Sequence, residues 1–127
     1  MKKILTGLML LALSAAAQAQ ENGSSMDSSS FHTAMSRPNV VLIDLRPDEA
    51  FDGGHFQGAK HVDWESGQLL ESLSGTDPDG LVLLYCGSGY RSGLAKEALI
   101  KAGYTNVHDL KGGMEALEGT GPSGSAQ

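Results

Sequence analysis

Leu81-Val82-Leu83-Leu84-Tyr85-Cys86-Gly87-Ser88-Gly89-Tyr90-Arg91-Ser92 is the stretch that decides the fold of this chain. An unbroken apolar run reads as a strand buried on both faces, the pattern of a parallel sheet. Two glycines then supply a tight loop, and an amphipathic helix follows. That order puts a thiol at the mouth of a turn whose backbone N–H groups face inward, at the positive end of a helix. Such a place binds anions and favours thiolate over thiol. The stretch therefore predicts a cysteine nucleophile acting on a small anion.

The flanking sequence repeats the pattern. Upstream, Arg37-Pro38-Asn39 breaks the chain before a second apolar strand, Val40-Val41-Leu42-Ile43, which ends in Asp44-Leu45-Arg46-Pro47. A short helix over Asp48–Phe51, a turn through Gly53-Gly54-His55 and a short strand over Lys60–Asp63 follow. Gln68–Leu73 has helical leucine spacing, and Asp77-Pro78-Asp79-Gly80 is a turn by composition. Downstream of the loop, Leu94, Ala95, Ala98, Leu99 and Ala102 recur at helical spacing and predict the buried face of the next helix. Glu97 and Lys101 pair at i,i+4, and Gly103 suits the helix C-terminus. A last strand, Val107–Leu110, leads through Lys111-Gly112-Gly113 to one helical turn over Met114–Leu117. Strands alternating with helices predict an α/β domain with a mainly parallel central sheet and helices on both faces. Right-handed crossovers put the strand C-termini on one edge, so Asp44, Arg46 and Cys86 share that edge.

The 127 residues suffice for one domain. Met1-Lys2-Lys3, the apolar run Ile4–Ala17 and the small residues of Ala17-Gln18-Ala19 predict a cleaved signal peptide over 1–19 and export to the periplasm. A membrane span needs about 20 apolar residues, and this run is shorter. A lipoprotein cleavage site is excluded because the one cysteine is Cys86. Ser-rich residues 20–30 read as a flexible leader, 31–118 as the domain, with a short helical turn near Phe31–Ser36, and Gly/Pro/Ser-rich 119–127 as a disordered tail. Without Lys2 and Lys3, seven basic residues stand against fifteen acidic ones, a charge near −8. That balance argues against nucleic acid and, after signal cleavage, against a membrane surface as partner. It also repels anionic substrates at long range, so attraction must come from the loop itself. A single cysteine in an exported domain points to a reactive thiol or an intermolecular bond, and makes a disulfide within the chain impossible.

Four residues separate Cys86 from Arg91. The protein-tyrosine phosphatase pattern has one residue more, making a loop wide enough for a phosphate or arsenate oxyanion. The shorter loop fits a single added sulfur atom. Cys86-x-x-Gly89-x-Arg91-Ser92 resembles the active-site loop of the rhodanese family of sulfurtransferases. Ile43-Asp44-Leu45-Arg46 resembles that family's first strand motif, Gly54-His55-Phe56-Gln57-Gly58-Ala59 its Gly-His-Ile-Pro-Gly-Ala segment, and Leu110–Leu117 its closing Leu-x-Gly-Gly-x-x-Ala-Trp. Together they span Val40–Leu117.

The resemblance implies a three-layer rhodanese-like fold and a two-step transfer. A Cys86 thiolate takes the outer sulfur of thiosulfate or a similar small anionic donor as a persulfide; cyanide or a thiol, including a protein thiol, then accepts it. It implies that Gly87, Ser88, Gly89, Tyr90, Arg91 and Ser92 bind the substrate. Asp44 and Arg46, placed at the same edge, read as an ion pair that fixes the loop in preference to catalytic groups. The resemblance calls for no metal or organic cofactor, and nothing in the sequence demands more than a monomer. Two other readings stay open: a sulfur-carrying or partner-docking module without turnover of its own, and a phosphatase or arsenate reductase. Phe56-Gln57 replaces Ile-Pro, Leu117 stands where an aromatic is common, and the segment before Val40 is short. A peripheral strand or helix is therefore either missing or supplied by the leader. His55 reads as a hydrogen-bonded structural residue, His32, His61 and His108 lack metal-ligand spacing, and Trp64 either walls the pocket or anchors the core.

Overall fold

A computed structural model describes residues 22–118; the expected signal peptide and the tail from residue 119 lie outside them. Five strands form one sheet: β1 (Ser25–Met26), β2 (Val41–Asp44), β3 (Lys60–His61), β4 (Val82–Tyr85) and β5 (Val107–Leu110). Their spatial order is β1-β5-β4-β2-β3, and every pair is parallel. Strands β2 and β4, at the centre, are the apolar runs, as burial on both faces requires, while β5 beside β4 buries His108 and Asp109 between Val107 and Leu110.

Side chains alternate across β4 and feed two cores. Val82, Leu84 and Cys86 join Ile43, Leu45, Leu69, Leu73, Ala95, Leu99 and Val107 on one side. That side is covered by helices α3 (Leu69–Ser72) and α4 (Tyr90–Lys101). Leu83 and Tyr85 join Phe31, Ala34, Leu42, Phe56, Leu110 and Met114 on the other, under α1 (Ser28–Ala34) and α5 (Gly113–Glu118). A short helix, α2 (Asp48–Asp52), follows β2. The result is the expected three-layer α/β arrangement.

Two expectations need correction. The segment 20–30 is not a flexible leader from Asn22 onward: it supplies edge strand β1 and starts α1. The Asn22 side chain accepts from Val107 N–H at 3.0 Å, Ser25 Oγ donates to Asp109 at 2.7 Å, and Lys111 N–H donates to Met26 O at 2.8 Å. Asp27 caps α1 by accepting from Ser30 N–H at 2.8 Å, which lowers its carboxyl below the ordinary value. This is the peripheral element whose absence before Val40 was in question.

The second correction concerns the phase of α4. Leu94 is 41% exposed, and the buried residues are Ser92, Ala95, Lys96 and Leu99. Polar contacts set that rotation: Ser92 faces the Cys86 sulfur, and Lys96 Nζ lies 2.9 Å from Asp109 on β5. Apolar spacing alone does not reveal either.

Candidate active site

Cys86 ends the β4 run and is 1% exposed. Gly89, at φ 98°, is the N-cap of α4, and its left-handed conformation is one that a side chain disfavours. It turns the chain so that Gly89 N–H donates to Cys86 Sγ at 3.1 Å and Ser92 N–H donates to it at 3.4 Å. The thiol in turn donates to Ser92 Oγ at 3.5 Å, and that hydroxyl donates to Gly89 O at 3.3 Å. Two amide dipoles at a helix N-terminus thus converge on one sulfur, where they stabilise negative charge.

In front of the sulfur lies an open cavity of about 260 Å³ lined by Cys86, Gly87, Ser88, Tyr90, Arg91 and Glu115. The residues expected to bind substrate therefore divide into two sets. Gly87, Ser88, Tyr90 and Arg91 line the mouth. Gly89 and Ser92 hold the sulfur, and the Ser92 side chain is buried rather than turned to the mouth. Ser88 Oγ accepts from Tyr90 N–H at 3.3 Å, so it also supports the helix start. Arg91 Nη2 stands 3.6 Å from Glu65 Oε2, with both side chains well exposed.

Asp44 and Arg46 form a buried pair at the same sheet edge, with Nη2 2.7 Å and Nε 3.0 Å from the carboxylate. Asp44 raises the Arg46 guanidinium above its ordinary value. Arg46 Nη2 also donates to Gly54 O at 2.7 Å, and its guanidinium lies 5.7 Å from the Tyr85 ring centroid. Tyr85 OH accepts from Phe56 N–H at 3.1 Å. The pair thus clamps the 54–56 segment onto Tyr85, the residue before Cys86, and supports the loop through that strand end. Burial, with Asp44 adding to it, pushes the Tyr85 hydroxyl well above the usual tyrosine range.

The β5–α5 turn closes the site from behind. Met114 N–H donates to Cys86 O and Glu115 N–H to Gly87 O, each at 2.9 Å. Gly112 and Gly113 have φ 75° and 63°. A Cβ on Gly113 would collide with Gly87 O and sit 2.6 Å from Cys86 O. The Gly-Gly pair is thus the surface on which the loop backbone rests. Trp64 packs against the core cluster that includes Cys86 and is not among the residues lining the mouth. His55 and His61 stack on Phe51, with centroids 3.7 and 4.4 Å away, and each has a backbone carbonyl within hydrogen-bond reach. Among the described residues no group of His, Cys, Asp and Glu side chains is placed to hold a metal ion.

Residues 27–120 match the family described as the rhodanese-like domain. The chain belongs to that family. It is 32% identical over 90 residues to a thiosulfate sulfurtransferase GlpE of Stutzerimonas stutzeri, covering 71% of this chain and 81% of the relative. It is also 34% identical over 96 residues to a tRNA uridine(34) hydroxylase of Bacillus mycoides, covering 72% of this chain but 30% of that protein. A rhodanese-like domain protein from Staphylococcus aureus shares the fold at TM-score 0.66 and 24% identity, covering 80% of this chain and 94% of that one.

The departures from the rhodanese pattern have local explanations. Phe56 fills the Ile position and is 2% exposed, packed against Tyr85 at 4.8 Å and Phe31 of α1 at 6.2 Å. Leu117 lies partly buried against the same cluster. Two features of this rhodanese-like domain went unassigned in the sequence. Glu115 sits within the closing motif but carries no spacing signal that distinguishes a mouth residue from a solvated one. Lys96 and Asp109, both buried, are recognisable only when α4 and β5 are placed side by side.

Proposed function

We propose that this chain is a single-domain periplasmic sulfurtransferase that carries sulfane sulfur as a Cys86 persulfide. The observation that supports this most is the convergence of the Gly89 and Ser92 N–H groups on Cys86 Sγ behind an open mouth. In the first step the Cys86 thiolate attacks the outer sulfur of thiosulfate or a similar donor. An S–S bond forms to Sγ, the donor's own S–S bond breaks, and its electron pair leaves with sulfite. In the second step cyanide or a thiolate attacks the outer sulfur and returns the electron pair to Sγ. This splits one transfer into two, with charge held by backbone donors throughout. Ser92 Oγ suits both stages, since a hydroxyl rotates to accept from a thiol or donate to a thiolate.

Intact-mass measurement tests the reading. Thiosulfate should add the mass of one sulfur atom to the protein, cyanide should remove it as thiocyanate, and Cys86→Ser should show neither. A wild-type protein that gains no sulfur and yields no thiocyanate rules the activity out. Secretion of the full chain with loss of residues 1–19, read by N-terminal sequencing, tests the compartment.

A further inference from the structure

We propose that Glu115 sets the charge selectivity of the Cys86 site, disfavouring dianionic donors and favouring acceptor thiols that carry a positive charge beside the sulfur. The inference rests on the sulfurtransferase reading and asks which substrates it admits. The Glu115 carboxylate lines the same mouth as Cys86, and its Oε2 would lie 3.3 Å from a Cβ placed on Gly87. The backbone that carries it is anchored to the loop, because Glu115 N–H is bonded to Gly87 O at 2.9 Å. Among the described residues the one cation lining the mouth is Arg91, and it faces Glu65 at 3.6 Å. Arg91, Glu65 and Glu115 together therefore leave one excess negative charge around the opening. No long-range attraction offsets it, since the whole chain carries a formal charge of −6.

The two half-reactions feel this charge differently. Thiosulfate brings two negative charges past Glu115 and relies on the loop amides alone. An acceptor thiolate with a neighbouring ammonium or guanidinium instead places that cation against Glu115. Its sulfur then forms a bond to the outer sulfur of the persulfide, and the bond to Sγ breaks with its electron pair returning to Cys86. No external reductant or oxidant is needed. One carboxylate acting on a dianion across solvated space, after salt screening, corresponds to roughly a three- to ten-fold effect on apparent affinity.

The test compares wild type, Glu115→Gln and the charge-keeping Glu115→Asp. Each is loaded with excess thiosulfate, and sulfur release is timed with cysteamine and with 3-mercaptopropionate. Tripeptides with cysteine between two lysines or between two glutamates form a parallel arm, distinguishing a free aminothiol from a protein thiol as the better-fitting source of the cation. Comparing each thiol between variants cancels the intrinsic reactivity of the thiols. In Glu115→Gln the preference for the cationic thiol should shrink several-fold and the KM for thiosulfate should fall roughly three- to ten-fold, with kcat little changed. Glu115→Asp should keep the wild-type pattern, and raising salt should lower the wild-type KM more than that of Glu115→Gln. Loading in all variants with the preference or the KM unchanged in Glu115→Gln overturns the inference. Failure of the wild type to load at all refutes the sulfurtransferase reading instead.

Discussion

The substitution Gly113→Ala isolates how much the β5–α5 turn contributes to the site. Gly113 has φ 63°, and so does any replacement that keeps the turn; left-handed backbone costs a non-glycine residue about 1–2 kcal/mol. Gly67→Ala is the matched control. Its φ is 71°, and a Cβ there meets nothing within 4 Å. At Gly113 the same methyl group runs into Gly87 O and comes within 2.6 Å of Cys86 O, both backbone atoms that cannot swing aside. Relief requires α5 to move off the loop. That movement breaks the 2.9 Å bonds from Met114 N–H and Glu115 N–H, about 1 kcal/mol each. It also uncovers part of Met114, now 4% exposed, whose full burial contributes about 1.5–3 kcal/mol.

The steric part is therefore about 2–4 kcal/mol beyond the strain the two variants share. The gain from a stiffer unfolded chain is equal in both and cancels. At about 4–8 °C per kcal/mol for a domain of this size, Gly113→Ala should lower Tm by roughly 10–30 °C more than Gly67→Ala does. Urea titration of both variants, with sulfur uptake from thiosulfate as a second readout, supplies the comparison. Gly113→Ala should also load sulfur more slowly, because the backbone it displaces carries Cys86. If the two variants unfold within about 1 kcal/mol of each other, the loop does not rest on Gly113 as described.

Two further perturbations follow from the same contacts. Tyr85→Phe removes the acceptor for the buried Phe56 N–H and should cost about 1–3 kcal/mol, read by urea titration. Burial raises the Tyr85 pKa in the folded state, so its contribution is fully present below the ordinary tyrosine value of about 10 and is lost as pH rises beyond it. The alkaline loss of stability should accordingly be shallower in Tyr85→Phe than in wild type, and an equal slope would contradict this. A chain starting at Phe31 lacks β1, the Asp27 cap and the bonds from Asn22 and Ser25. It should unfold at lower urea than one starting at Gln20, by about 2–4 kcal/mol, and equal midpoints would restore the leader reading.

The central strands were legible because parallel strands buried on both faces write themselves as apolar runs, and Val41–Asp44 and Val82–Tyr85 do so. Edge strand β1 was not legible. Its two residues are Ser25 and Met26, and its hold on the sheet combines backbone pairing with β5 and side-chain hydrogen bonds, neither of which leaves a periodic trace in so short a segment. Asp27 before three serines is a readable N-cap signal, masked by the composition around it. The face of α4 was misplaced for a related reason. Lys96 is buried because Asp109 and Ser25 lie within 2.9 and 3.2 Å of its Nζ, contacts that depend on β5 and β1 standing beside the helix. Sequence spacing finds cores made of apolar residues; it does not find the places where paired polar groups occupy core positions.

The same distinction bears on the site. The spacing of Cys86, Gly89 and Arg91 located the loop, but the groups that touch the sulfur are mainly backbone. Gly89 N–H and Ser92 N–H reach Sγ, while Ser88 Oγ is engaged with Tyr90 N–H and Arg91 is turned toward Glu65. Loop length and backbone dihedrals therefore shape the sulfur cradle more than side-chain identity does. The width of a cradle of N–H dipoles limits the size of the anion it takes, but the amides do not distinguish among sulfur compounds by the charge beside the sulfur, because they offer the same donors to each. Selection must come from the side chains at the mouth, where Arg91, Glu65 and Glu115 give a sign opposite to that of the cradle. The sulfur atom sits between a positive floor and a negative rim, and a substrate that passes the rim with a cation outside and sulfur inside satisfies both.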